Sequence, residues 1–184
     1  MSSVLVLSGS PSRSSKTARV GDHIVDRLGV GGVRASHVRL RELPAEALLA
    51  ADTAHPGIAE VTEALAEADG VVLATPTYKA AYSGLLKVFL DLLPQFGLAG
   101  KTVLPIATGG TIAHVLALDY GLRPVLQSLA PRHVIQSYFL LDQHLEVAPT
   151  GVLAIKPETE RTLAEIVDEF RHALITSRPF QRTA

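Results

Sequence analysis

Apolar positions along the chain fall into two alternating patterns. Short, wholly apolar runs at Val4–Leu7, Val71–Ala74 and Val103–Ala107 each give way to small or hydroxyl-bearing residues: Ser8-Gly9-Ser10-Pro11, Thr75-Pro76 and Thr108-Gly109-Gly110. Runs with no polar face predict strands buried on both sides, as in a parallel sheet. Val33–Leu40 alternates and predicts an edge strand, and Val134–Phe139 is a candidate fifth. Helical stripes lie between them. From Lys16, the residues Gly21, Ile24, Val25 and Leu28 share one face, and Gly29 can end the helix. Ile58, Val61, Leu65 and Ala68 form a second stripe. Leu163, Ile166, Val167, Phe170 and Leu174 form a last one, with Pro157 and acidic residues at its start. The stretch Gly84–Leu93 is apolar almost all the way round, which predicts a helix either deeply buried or packed against another subunit.

Repeated βα units predict an α/β architecture: a flavodoxin-like, doubly wound, five-stranded parallel sheet of order 2-1-3-4-5 with helices on both faces. The length of 184 residues, without internal repeats, suits one domain over residues 1–184. Ligands of such sheets bind beyond the carboxyl ends of the strands, at the switch point between strands 1 and 3. That rule converges on three segments: Ser8–Thr17, Thr75–Ser83 and Thr108–His114.

Composition narrows the choice. Apolar residues make up 47% and charged residues 19%, so the chain is globular. A net charge of −1 argues against nucleic acid or an anionic membrane as partner. No apolar tract reaches about 18 residues, and the start lacks the charge of a signal peptide, so a cytoplasmic protein is expected. The absence of cysteine excludes disulfides, thiolate catalysis and thiolate metal sites. The seven histidines show no metal-ligand spacing, so no metal is expected.

The first segment, Ser8 to Thr17, offers hydroxyls, a guanidinium and the N–H groups of a helix start, which suit a phosphate. It also reads as an ordinary capping turn. It lacks the glycine and lysine spacing of a P-loop or a dinucleotide fingerprint. In the second segment, Pro76 stiffens the chain, small residues allow a flat ligand to approach, and Tyr78 and Tyr82 offer aromatic surface. Those tyrosines serve equally to cover the edge of the core. In the third, Gly109-Gly110 permits close backbone approach or a plain tight turn. His114, just beyond, is a lone histidine. Leu116–Pro124 is helical by pattern, yet Pro124 removes a hydrogen bond to Tyr120 and Gly121 weakens the helix. A kink or π-bulge is expected there. No paired acids and no Ser-His-Asp arrangement with a nucleophile elbow stand out.

Taken together, Gly9–Ser15, Ala74–Lys87, Leu90–Pro94, Ala107–Thr111, Ala113-His114, Asp119-Tyr120 and Pro124–Leu126 resemble the NAD(P)H-dependent FMN reductases of the flavodoxin-like superfamily. The likeness is greatest to the flavin reductase component of two-component alkanesulfonate monooxygenase systems. The first loop is shorter than in those reductases, and Leu141–Lys156 has no counterpart in the resemblance. The resemblance implies that Ser10, Arg13, Ser14 and Ser15 hold the FMN phosphate. Pro76, Thr77, Tyr78 and Lys79 would line one side of the isoalloxazine, and Thr108, Gly109, Gly110 and Thr111 would approach its edge. Hydride passes from the nicotinamide C4 of NADPH or NADH to flavin N5, so no catalytic acid or base is implied. Tyr120 would sit on the π-bulge near a tetramer interface and favour release of reduced FMN to a flavin-dependent monooxygenase in sulfonate sulfur assimilation. A homotetramer, a dimer of dimers using the Gly84–Leu93 helix, is expected. The rival readings are an azo- or quinone reductase that retains FMN, and a non-enzymatic flavodoxin-type electron carrier.

Overall fold

The computed structural model describes residues 2–176; the one-domain reading also takes in residues 1 and 177–184, which lie outside the described residues. The chain begins with β1 (Ser3–Ser8), α1 (Lys16–Val30) and β2 (Arg34–Arg39). There follow α2 (Ala45–Leu49), α3 (Pro56–Glu67), β3 (Gly70–Tyr78), β4 (Ala81–Tyr82), α4 (Gly84–Leu90) and β5 (Thr102–Gly109). A π-helical turn (Ala117–Leu122) runs directly into α5 (Arg123–Ser128). The chain then forms β6 (His133–Val134), β7 (Tyr138–Leu141), β8 (Leu145–Val147), β9 (Leu153–Ile155) and α6 (Pro157–Thr176).

The sheet runs β2-β1-β3-β5 in parallel, and β6 and β7 share the fifth position. Counting β6 and β7 as one interrupted strand, this is the expected order 2-1-3-4-5. Alternation along each central strand divides the core. Val4 and Val6, Val72 and Ala74, and Leu104 and Ile106 face α1 and α6, meeting Ile24, Leu28, Val167 and Phe170. Leu5 and Leu7, Val71 and Leu73, and Val103 and Ala107 face the other layer, meeting Leu48, Ile58, Leu65, Phe89 and Leu126. Both faces of the sheet are therefore covered, as the all-apolar runs require.

Several boundaries differ from the sequence reading. Gly29 lies inside α1; the chain leaves the helix at Gly31 and turns on Gly32, whose φ is +76°. The expected Val134–Phe139 strand is broken. β6 pairs with the start of β5, and β7 pairs with its end. The guanidinium of Arg123 occupies the gap, donating to the carbonyls of Val134 and Ile135 at 3.4 and 3.3 Å and to the Ser137 hydroxyl at 3.2 Å. The helix expected over Gly84–Leu93 ends at Leu90, and a tighter turn follows in which the N–H groups of Leu92 and Leu93 bond the carbonyls of Phe89 and Leu90 before Pro94, which has no N–H to give. Its apolar girdle is largely covered within the chain itself: Leu86, Phe89, Leu90, Leu92 and Leu93 are all buried, and Leu85 and Val88 half-buried. The unplaced stretch Leu141–Lys156 contains the antiparallel hairpin β8–β9, which packs Leu145, Leu153 and Ile155 against the α1–α6 face.

Candidate functional site

β3 and β5 reach further than the apolar runs indicate. Pro76 pairs with Thr108 in the sheet register, so Thr75–Tyr78 and Thr108–Gly109 are strand ends rather than loop. Tyr78 then turns back through Lys79 and Ala80 into β4, with Thr77 opposite Tyr82 and Tyr78 opposite Ala81. Lys79 and Ala80 have φ of 50° and 62°. That is the backbone of a tight two-residue hairpin, made here without glycine.

Side chains between the three segments fix their spacing. The Ser83 hydroxyl caps α4 by accepting from the Leu86 N–H at 3.1 Å, and it donates to the Gly9 carbonyl at 2.5 Å. The Thr75 hydroxyl accepts from the Ser83 N–H at 2.9 Å. Gly9 lies so close to α4 that a Cβ there would stand 2.7 Å from Leu86 Cβ. The buried hydroxyls of Thr17 and Thr108 share a hydrogen bond of 2.7 Å, joining α1 to the end of β5. Ser15 caps α1, accepting from the Ala18 N–H at 3.1 Å.

These ties leave a cleft of about 260 Å³ at the switch point. Ser10, Ser12, Ser14, Ser15, Lys16 and Thr17 line it from the first segment. Pro76, Thr77 and Tyr78 line it from β3, Thr108 and Gly109 from β5, and Asp142 from the turn after β7. Eight residues expected from the resemblance thus meet at one site: Ser10, Ser14, Ser15, Pro76, Thr77, Tyr78, Thr108 and Gly109. Arg13, Lys79, Gly110 and Thr111 do not line it and are exposed. Ser12, Lys16 and Thr17 were legible as members of the first segment but carried no assigned role. Asp142 carried no signal, because it enters from a part of the chain without a recognisable pattern.

The lining has the chemistry that an FMN tail would use. Hydroxyls and the start of α1 present hydrogen-bond donors toward an anion. The Thr77 Oγ1 is buried and lacks a partner among the described residues, the mark of a polar atom placed for a ligand. A Cβ at Gly109 would meet Phe139 Cζ at 2.7 Å, so glycine here leaves room for the Phe139 ring beside the end of β5. The residues present therefore fit FMN.

Two further arrangements frame the cleft. Where α1, β2 and the end of β1 meet, His37 Nδ1 is 2.8 Å from Asp22 Oδ1 and its Nε2 is 2.9 Å from Ser8 Oγ. Arg39 donates to the same Asp22 oxygen at 2.5 Å. Burial holds the imidazole below its ordinary pKa. Burial alone would raise that of Asp22, but the hydrogen bonds and charge from His37 and Arg39 hold it below the usual carboxylate value. The network fits a neutral His37 that donates to Asp22 and accepts from Ser8. The order Ser-His-Asp has the look of a catalytic triad, but Ser8 is fully buried and meets no substrate.

Beyond β5, the chain makes a 3-10 turn over Ile112–His114 and then the π-helical turn that Pro124 led one to expect. His114 closes the 3-10 turn. A Cβ at Gly121 would stand 3.7 Å from the ring of Tyr82, in ordinary van der Waals contact. Burial raises the pKa of that phenol. Tyr120 is 78% exposed, beside exposed Ile112, Val115 and Leu116. Among the described residues, no group of three or more His, Cys, Asp or Glu is placed to hold a metal, and no helix is long and apolar enough to cross a membrane.

Comparison with known proteins gives a family and a matching fold. A family model described as NADPH-dependent FMN reductase matches residues 2–146. An FMN reductase (NADPH) of Escherichia coli strain K12 is 44% identical over 142 residues, spanning 77% of this chain and 74% of that protein. A Pseudomonas putida FMN reductase (NADPH) is 39% identical over 177 residues, spanning 96% and 89%. The apo crystal structure of an NADH:FMN oxidoreductase (EMOB) superposes with a TM-score of 0.88 at 43% identity, covering 99% of this chain and 94% of that one.

Proposed function

The chain belongs to the NADPH-dependent FMN reductase family, an oxidoreductase family using FMN and NAD(P)H, and from that premise we propose that it binds FMN in the switch-point cleft as a substrate and releases it reduced. The observation that carries the reading is the convergence of three segments on one hydroxyl-lined cleft containing the unpartnered Thr77 Oγ1. In this reading Ser10, Ser14 and Ser15, with Arg13 swinging in from the rim, hold the phosphate. Pro76, Thr77, Tyr78 and Lys79 flank one side of the isoalloxazine, and Thr108, Gly109, Gly110 and Thr111 approach its edge. FMN supplies the hydride-accepting centre; the chain supplies orientation and a shaped wall.

The same proposal includes a single domain, a cytoplasmic setting, and a flavin-dependent monooxygenase that receives reduced FMN, in sulfonate sulfur assimilation. It also includes a homotetramer, a dimer of dimers. Leu85 and Val88, the half-buried stripe of α4, would join one contact, and the exposed Ile112, Leu116 and Tyr120 another. The second contact replaces much of the load first placed on the Gly84–Leu93 helix, whose apolar residues the subunit itself largely covers.

Steady-state NAD(P)H oxidation with added free FMN tests the core of the proposal. A rate that requires FMN and saturates with it is expected. A yellow protein that retains its flavin and turns over azo dyes or quinones without added FMN would overturn the release of reduced flavin. Sedimentation of a monomer at micromolar concentration would overturn the assembly.

A further inference from the structure

The cleft contains a cation to which the resemblance gives no role. Lys16 is the first residue of α1 and lines the cleft. Its Nζ donates to the backbone carbonyl of Asp142 at 2.7 Å, closing a contact between residues 126 apart in sequence. A cation in the first turn opposes the helix dipole, so the helix itself gains nothing from it. The partner is a neutral carbonyl, which orients the ammonium without cancelling its charge. Asp142 also lines the cleft, so an incoming dianion would meet a carboxylate-bearing residue on that wall. Arg13, the other cation of this loop, is exposed and outside the lining.

We infer that Lys16 is a specificity-determining residue for phosphorylated flavin: its ammonium, held at the cleft by the Asp142 carbonyl, compensates the charge of the 5′-phosphate and so favours FMN over riboflavin. This rests on the reading that the serine-lined end of the cleft takes the FMN phosphate. An ammonium is a compact point charge and suits a phosphate without the fork geometry of arginine. The carbonyl tie is the positioning element. It spans the opening between the first loop and the turn that leads into the β8–β9 hairpin, and so keeps the lysine from extending into solvent.

Equilibrium titrations of FMN and riboflavin, followed by flavin fluorescence on the full chain, test this without turnover. Wild-type protein should bind FMN at least about tenfold more tightly than riboflavin. Lys16→Met should weaken FMN by about tenfold and leave riboflavin within about twofold. Lys16→Arg should keep most of the preference, and high salt should narrow the wild-type preference more than that of Lys16→Met. Unchanged FMN affinity in Lys16→Met, or equal weakening of both flavins, would overturn the proposal; the second result would leave Lys16 only as a tie to Asp142. Wild-type protein that binds riboflavin as tightly as FMN would overturn the phosphate-end reading itself, and would be seen before any variant is made.

Discussion

The segments that follow β1 and β5 leave buried parallel strands on either side of β3, at the same edge of the sheet, yet they face opposite ways. After β1, the polar residues turn inward: Ser10, Ser15 and Thr17 are buried, and the chain enters a regular, capped helix. After β5, the apolar residues turn outward: Ile112, Leu116 and Tyr120 are exposed, and the chain passes through 3-10 and π-helical turns before it becomes regular. The first segment is completed by its own subunit and is shaped around a cleft. The second leaves its apolar side chains exposed on the surface of the chain. Proximity to a site therefore says little about how a loop is stabilised; the direction of its apolar residues says more.

The sharpest way to break this contrast is at its glycines. A Cβ at Gly9 would lie 2.7 Å from Leu86 Cβ and 2.9 Å from Ser83 Oγ, whereas one at Gly110 would meet nothing within 4 Å. Gly9→Ala should therefore lower unfolding free energy by about 1–3 kcal/mol. Gly110→Ala should change it by less than about 0.5 kcal/mol. Urea denaturation decides, and equal effects would erase the difference between the two segments.

A smaller loss is expected from Thr17→Val, which keeps the shape but leaves the buried Thr108 hydroxyl without its 2.7 Å partner. We expect about 1–2 kcal/mol, measured by the same denaturation. No loss would mean that the inward polar contacts of the first segment are incidental.

The network of His37, Asp22 and Ser8 should also give the fold a pH dependence. His37 is held below its ordinary pKa of 6.5 by burial, so the unfolded chain binds a proton more readily than the folded one. Stability is then full above about 6.5 and declines as pH falls from there through the folded value. Asp22, also depressed, adds a loss only at more acidic pH. Thermal unfolding from pH 7.5 to pH 5.5, about the range of histidine titration, should show a decline that His37→Gln flattens. An unaltered slope in the variant would remove His37 as its cause.

The least change in subunit stability belongs to Tyr120→Ala, within about 0.5 kcal/mol, because the side chain is 78% exposed. Its effect should fall instead on assembly and flavin release, with FMN copurifying as a yellow complex and turnover with free FMN lost. A loss of stability as large as that of Thr17→Val would place Tyr120 among the subunit's own supports.

Much of this was legible in the order of residues. Runs such as Val71–Ala74 and Val103–Ala107 read as central strands because both faces of the sheet are covered, and their ends marked the cleft. An irregular turn, a kink or a π-bulge, is legible from Pro124 and Gly121, since a missing N–H has a local consequence, and the structure has the π form. What escaped depends on distant partners. The break in the fifth strand follows from the guanidinium of Arg123, and the value of Lys16 follows from a carbonyl 126 residues away. The girdle of Gly84–Leu93 reads equally as a buried helix or a subunit contact, because periodicity reports that a face is apolar, not which surface meets it; within the chain most of it is buried.

The hairpin tip at Lys79-Ala80 has a consequence for adaptation. Two adjacent side-chain-bearing residues in left-handed backbone sacrifice about 1–2 kcal/mol each relative to a tip made of glycine. Asn-Gly would suit the same turn with less strain. A lineage pressed toward heat tolerance thus has unused headroom at this one dipeptide, and could draw on it without touching the core. Its present occupants make the tip a place where the chain has kept a basic, stiff projection at the expense of durability.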